Sequence, residues 1–97
     1  MDTKEFEKQL KQGGYLDVEM KKAAPNFLSK PHTHEFDVRA LIVDGQLALT
    51  RDGRTDTFRA GQIFEMDAGC LHTEQYGAEG TTYLVGRRHK VTSKATR

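Results

Sequence analysis

Three histidines have the type and spacing for metal chemistry: His32 and His34 in KPHTHEFDV (residues 30–38), and His72 in DAGCLH. On extended chain, residues i and i+2 project from one face, so the imidazoles of His32 and His34 point together and can chelate a single ion. Pro31 favours extended backbone at Lys30 and helps start that geometry. Taken alone, the pair also reads as two surface histidines at a strand edge. His72 shifts that reading. It follows a turn that itself follows an apolar strand, and His-x-His completed by one more histidine after a Gly-containing turn is a far rarer arrangement.

The elements that must position these residues are short. Residues 3–12 form a helix with Thr3 as the expected cap, Glu5 and Glu7 near its positive end, and Phe6 and Leu10 on one face. Gly13-Gly14 stops it. In YLDVEMK, Leu16, Val18 and Met20 alternate with Asp17, Glu19 and Lys21, the pattern of a half-buried strand. AAPNFLSKP reads as a loop. From Glu35 onward turn signals recur at close intervals: Asp44-Gly45, Asp52-Gly53, Ala60-Gly61, DAGC and GAEG. Asp-Gly between β-prone segments signals a hairpin, because a type I′ turn needs positive φ at both central residues. The pattern predicts about seven or eight short strands, an all-β sandwich or barrel.

The chain has 97 residues, one cysteine and a net formal charge of +1 from 15 Lys+Arg against 14 Asp+Glu. That length suits one domain with a modest core, of the kind that gains stability from a metal or from oligomerisation. The charge balance argues against nucleic acid and against an acidic membrane surface as partners. A lone cysteine forms no intrachain disulfide and fits a reducing compartment. MDTKEFEKQLKQGG lacks the apolar core of a signal peptide, and no apolar run approaches the ~18 residues of a membrane span. The expected location is cytoplasmic.

In its histidine and glycine pattern the chain resembles the cupin superfamily. The first cupin motif, G-x5-H-x-H-x3,4-E-x6-G, maps onto His32, His34 and Gly45, with Asn26 in place of the leading glycine and Val38 where the glutamate would stand. The second, G-x5-P-x-G-x2-H-x3-N, maps onto Gly61, Gly69 and His72, with Asp67 replacing the proline and Tyr76 the asparagine. The likeness spans about residues 15–88. It implies a small jelly-roll β-barrel over 15–90, an N-terminal helix (1–14) packing on it, a flexible tail (91–97), and pairing into a homodimer. It also implies a site of His32, His34 and His72 for one divalent transition metal (Fe, Mn, Ni, Cu or Zn). Three neutral imidazoles can hold such an ion and leave positions open for water or substrate. Phe36, Val38, Leu47, Leu49, Phe64, Met66, Tyr83 and Val85 are the candidates for the apolar lining.

Val38 cannot bind metal, and three readings of the missing carboxylate stay open. A genuine three-histidine centre, as in cupins resembling the thiol and diketone-cleaving dioxygenases, would leave the 2+ charge uncompensated and favour anionic substrates. A nearby acid could substitute: Asp37 lies on the face opposite His34 unless a bulge intervenes, whereas Glu74, at i+2 from His72, shares its face. Or the metal is weak or absent, and the barrel is a non-enzymatic small-ligand sensor or accessory module like the sugar-sensing domains of arabinose-type regulators.

Other residues carry paired readings. Cys70 is a soft-metal ligand at i−2 from His72 or a small turn residue. Tyr76 is a donor or general acid near the metal, or a plain core aromatic, and Tyr83 has the same ambiguity. Among Arg39, Arg51, Arg59 and Arg87, one could reach a substrate carboxylate at the barrel mouth. His89 is expected to be exposed and outside the site. The leading functional expectation is a metal-dependent dioxygenase or isomerase acting on a small anionic molecule in the barrel.

Overall fold

The computed structural model describes residues 1–89, so the expected tail (91–97) and the last residue of the expected barrel range lie outside the described residues. Helix α1 spans Thr3–Gln12. Its cap is Asp2 rather than Thr3: the Asp2 carboxylate accepts the Glu5 N–H at 2.8 Å, while Thr3 is already helical. Phe6 and Leu10 are fully buried against Tyr15, Leu41 and Leu84, which fastens the helix to one face of the sheet. Neither this helix nor any other among the described residues is long and apolar enough to cross a membrane.

Five strands follow: β1 (Leu16–Ala23), β2 (Phe36–Arg51), β3 (Arg54–Arg59), β4 (Ile63–Met66) and β5 (Thr73–His89). They form an antiparallel sheet in the order β1-β5-β2-β3, with β4 also pairing β2. The long strands β2 and β5 pair in two stretches, Phe36–Ile42 with Tyr83–His89 and Leu47–Thr50 with Thr73–Tyr76, with the pairs Asp44–Thr82 and Gly45–Thr81 between them. The first stretch of β2 takes β4 on its other edge and the second takes β3.

The strands are fewer than the turn signals suggested because Asp44-Gly45 and GAEG do not turn. They sit inside β2 and β5, where the register shifts on both sides of the Gly45–Thr81 pair. Gly45 and Gly80 both have positive φ, +81° and +80°, and a Cβ on Gly45 would stand 2.1 Å from the Gly80 carbonyl oxygen. Only glycine permits this approach, and the paired irregularity bends both strands so that the sheet curls over itself into a barrel. A bulge and a type I′ hairpin need the same positive φ, so Asp-Gly signals either. At Asp52-Gly53 the chain does turn, with φ of 52° and 73°.

The inner face of the barrel holds the core: Val38, Ala40, Ile42, Leu47, Leu49, Phe64, Met66, Tyr76 and Val85. Strand β1 departs from the expected half-buried alternation. Asp17 has φ of 51° and the register slips between Leu16 and Glu19, which reverses the faces of everything that follows. Leu16 and Met20 are exposed, and Glu19 and Lys21 stand opposite Val85 and Tyr83 on the inner face.

Candidate metal centre

His32 and His34 come from an irregular extended segment just before β2, and His72 from the residue before β5. Two backbone hydrogen bonds join the two segments: His32 N–H to the His72 carbonyl at 3.0 Å, and His72 N–H to the His32 carbonyl at 3.1 Å. Residues paired this way carry their side chains on the same face, so the bridge forces the two imidazoles together. The loop is held to β5 further along by Ser29 N–H to the Glu74 carbonyl and Tyr76 N–H to the Phe27 carbonyl. His34 is fixed through its carbonyl, which accepts the Gly69 N–H at 2.8 Å. Ring centroids lie 4.2 Å apart for His32–His72, 4.9 Å for His32–His34 and 5.2 Å for His34–His72.

Glu74 completes the cluster. One ligand atom from each of His32, His34, His72 and Glu74 lies within 4.8 Å of all the others, a group that could hold a metal ion. Glu74, on β5 two residues after His72, thus brings a carboxylate into the cluster. Asp37 stays on the opposite side of β2, buried, accepting the Ala68 N–H at 2.9 Å and pairing with Arg88 at 3.1 Å.

The orientation of the rings is set by the backbone. His32 Nδ1 lies 2.7 Å from the Lys30 carbonyl oxygen and His72 Nδ1 lies 2.9 Å from that of Cys70. A carbonyl only accepts, so each Nδ1 carries the proton and a neutral ring keeps its lone pair at Nε2. Cys70 therefore contributes its carbonyl, and its thiol is not in the cluster. Burial and the neighbouring His32 and His72 lower the His34 pKa below its usual value, which favours the neutral, ligating form. The His34 ring also stacks on Phe36, with centroids 4.9 Å apart.

Tyr76 holds the carboxylate. Its hydroxyl donates to Glu74 Oε1 at 2.5 Å, leaving Oε2 to face His72 Nε2 at 3.2 Å. Burial, reinforced by the Glu74 contact, pushes the Tyr76 phenol far above its ordinary pKa, so it stays protonated and remains a donor. Tyr83 lies behind it, the two hydroxyls 3.5 Å apart.

His32, His34, Glu74, Tyr76 and Tyr83 open onto a cavity of about 290 Å³, while His72 is buried behind them. Six of the eight expected apolar positions line it: Phe36, Val38, Phe64, Met66, Tyr83 and Val85. Leu47 and Leu49 are instead fully buried and do not. Of the arginines considered, Arg87 lines the cavity, whereas Arg39 pairs with Glu65 and Arg51 donates to the Glu65 carbonyl. His89 is exposed and lies 3.6 Å from Asp17, outside the cluster. Lys21, Phe27 and Ser29 also line the cavity, and sequence reasoning missed them. Lys21 read as solvent-facing because strict alternation hides the slip at Asp17.

No family model matches the chain, and a search of the curated proteins finds no match. Solved structures do match. A protein of unknown function from Rhizobium leguminosarum bv. viciae 3841 has TM-score 0.71 at 23 % identity, covering 75 % of this chain and 69 % of its own. A cupin superfamily protein from Desulfitobacterium hafniense DCB-2 has TM-score 0.67 at 15 % identity, covering 75 % and 66 %. An RmlC-like cupin from Shewanella frigidimarina NCIMB 400 has TM-score 0.68 at 15 % identity, covering 84 % and 73 %. At such identities the likeness carries the fold and nothing more.

Proposed function

The chain has the cupin fold, and from that premise we propose that His32, His34, His72 and Glu74 bind one divalent transition-metal ion. The contact between His72 Nε2 and Glu74 Oε2 at 3.2 Å carries this reading. With its Nδ1 proton given to the Cys70 carbonyl, a neutral His72 turns a lone pair toward a carboxylate oxygen. Two acceptors do not hold such a contact unless a positive charge, a metal ion or an extra proton, lies on or between them. An ion also accounts for His32, which the Lys30 carbonyl sets in the same tautomer and which faces the same point. Three nitrogens and one carboxylate suit Fe, Mn, Ni, Cu and Zn alike.

The activity this supports best is that of a dioxygenase or isomerase on a small anionic molecule. When bound, the ion supplies Lewis acidity or an oxygen-binding centre. The chain's own residues do the rest. Tyr76 keeps its proton and orients Glu74. His34 is held neutral. Val38, Phe64, Met66 and Val85 form an apolar floor that limits water beside the site.

Metal analysis of protein purified without an affinity tag tests the reading. About one equivalent is expected, with a rise in Tm on adding Fe, Mn, Ni or Zn. Less than about a tenth of an equivalent with no gain in Tm would overturn it. Full retention of metal by His72→Ala would show that the ligand set is wrong.

A further inference from the structure

The cavity wall also carries two cationic residues, Lys21 and Arg87. Tyr83 stands opposite Lys21 in the β1–β5 register, so Lys21 shares its face and reaches the cavity rim. Arg87 also lines the cavity, but its charge is already engaged. Its guanidinium binds Glu19 at 2.9 Å and the Asp17 carbonyl at 3.0 Å, and lies 5.7 Å from the centre of the Phe36 ring. Lys21 has no ion pair among the described residues. From the metal cluster to Lys21 the inner wall runs through Glu74, Tyr76 and Tyr83, hydroxyl to hydroxyl. The cavity is therefore lined by metal donors, by aromatic and aliphatic side chains, and by a lysine with no ion pair among the described residues.

We infer that the ligand is a short-chain dicarboxylate, with an oxygen-chelating head at the metal and a second carboxylate at Lys21. The inference rests on the metal reading and extends it to the far end of the molecule. The cavity volume of about 290 Å³, near the lower end for small-molecule pockets, suits a small acid. Lys21 is the specificity-determining residue, because the ammonium is the cavity's unspent charge, whereas Glu19 offsets Arg87.

The experiment compares matched acids on metal-loaded protein by calorimetry, after metal content has been measured for each variant. Malate and 2-hydroxyglutarate carry the same 2-hydroxy acid head as 2-hydroxybutyrate and 2-hydroxypentanoate, and differ in ending on a carboxylate rather than a methyl. At least one dicarboxylate is expected to bind about five- to tenfold more tightly than its partner, a preference that shrinks with added salt. Lys21→Met is expected to abolish the preference while leaving metal content and monocarboxylate affinity unchanged. Lys21 is exposed on an edge strand, so the fold does not depend on it. Metal uptake without any dicarboxylate preference, or with a preference that survives in Lys21→Met, overturns this inference and leaves the metal reading standing. Failure to take up metal overturns both.

Discussion

Two carboxylates, Asp37 buried and Glu74 half-buried, lie on opposite sides of the barrel wall, and their surroundings differ in one respect. Asp37 accepts the Ala68 N–H and is gripped by the Arg88 guanidinium through Nε at 3.2 Å and Nη2 at 3.1 Å. Its charge is matched by a cation that the chain itself supplies. Arg88 in turn donates to the Gly13 carbonyl and lies over the Tyr15 ring, so the pair also pins the end of α1 to the sheet. Glu74 accepts from a neutral phenol on one oxygen and faces the His72 imidazole with the other. The first carboxylate belongs to a completed structural ion pair. The second is held by a phenol and an imidazole, with no lysine or arginine paired to it among the described residues.

The largest expected effects come from removing each carboxylate in turn. Glu74→Gln, which removes the charge of a proposed ligand, is expected to weaken metal binding by at least about a hundredfold, beyond the range for changing a residue that only supports a ligand. The metal-free variant should melt no lower than the parent, because the amide can donate to His72 where the carboxylate could not. Asp37→Ala is expected to do the reverse. It leaves the Ala68 N–H without its acceptor, costing about 1–3 kcal/mol, or a Tm lower by roughly 10 °C, with metal stoichiometry retained. Thermal melts with and without metal check both. If metal-free Glu74→Gln fell as far as Asp37→Ala, Glu74 would be a structural anion and the contrast would collapse.

A smaller effect sharpens the comparison from the side of the neutral donor. Tyr76→Phe removes the hydroxyl that orients Glu74 and is expected to lower metal affinity about tenfold, measured by competition with a chromophoric chelator. Smallest is the pH dependence of the metal-free protein. The His34 pKa is lowered from 6.5, so the unfolded chain binds this proton more readily than the folded one. The stability gained by keeping His34 neutral is complete above about pH 6.5 and is lost as the pH falls through the lowered folded-state value. Melts between pH 8 and pH 5 should show that decline, with a shallower slope for His34→Gln.

The reach of sequence reasoning can be followed residue by residue. His72 was legible because it stands after a Gly-containing turn in the second cupin-like motif, and His32 and His34 because i, i+2 spacing is a local property of extended chain. Glu74 was legible by the same rule, and so was the exclusion of Asp37, which strict alternation places on the other face. Lys21 was not legible, because one residue with positive φ at Asp17 reversed the faces of β1. Nor was the continuity of β2 and β5, because Gly45 and Gly80 serve a bulge with the same backbone freedom they would bring to a turn.

By itself, the sequence determined which residues share a face along extended chain, and its histidine and glycine pattern the barrel class. The tertiary structure alone decided which faces meet. The reciprocal hydrogen bonds between His32 and His72 bring two distant segments into register, the Lys30 and Cys70 carbonyls choose the tautomers, and Arg88 reaches Asp37 but not Glu74. These are contacts between residues far apart in the chain or between side chain and backbone, set by strand register and sheet curvature. Local periodicity carries no information about either.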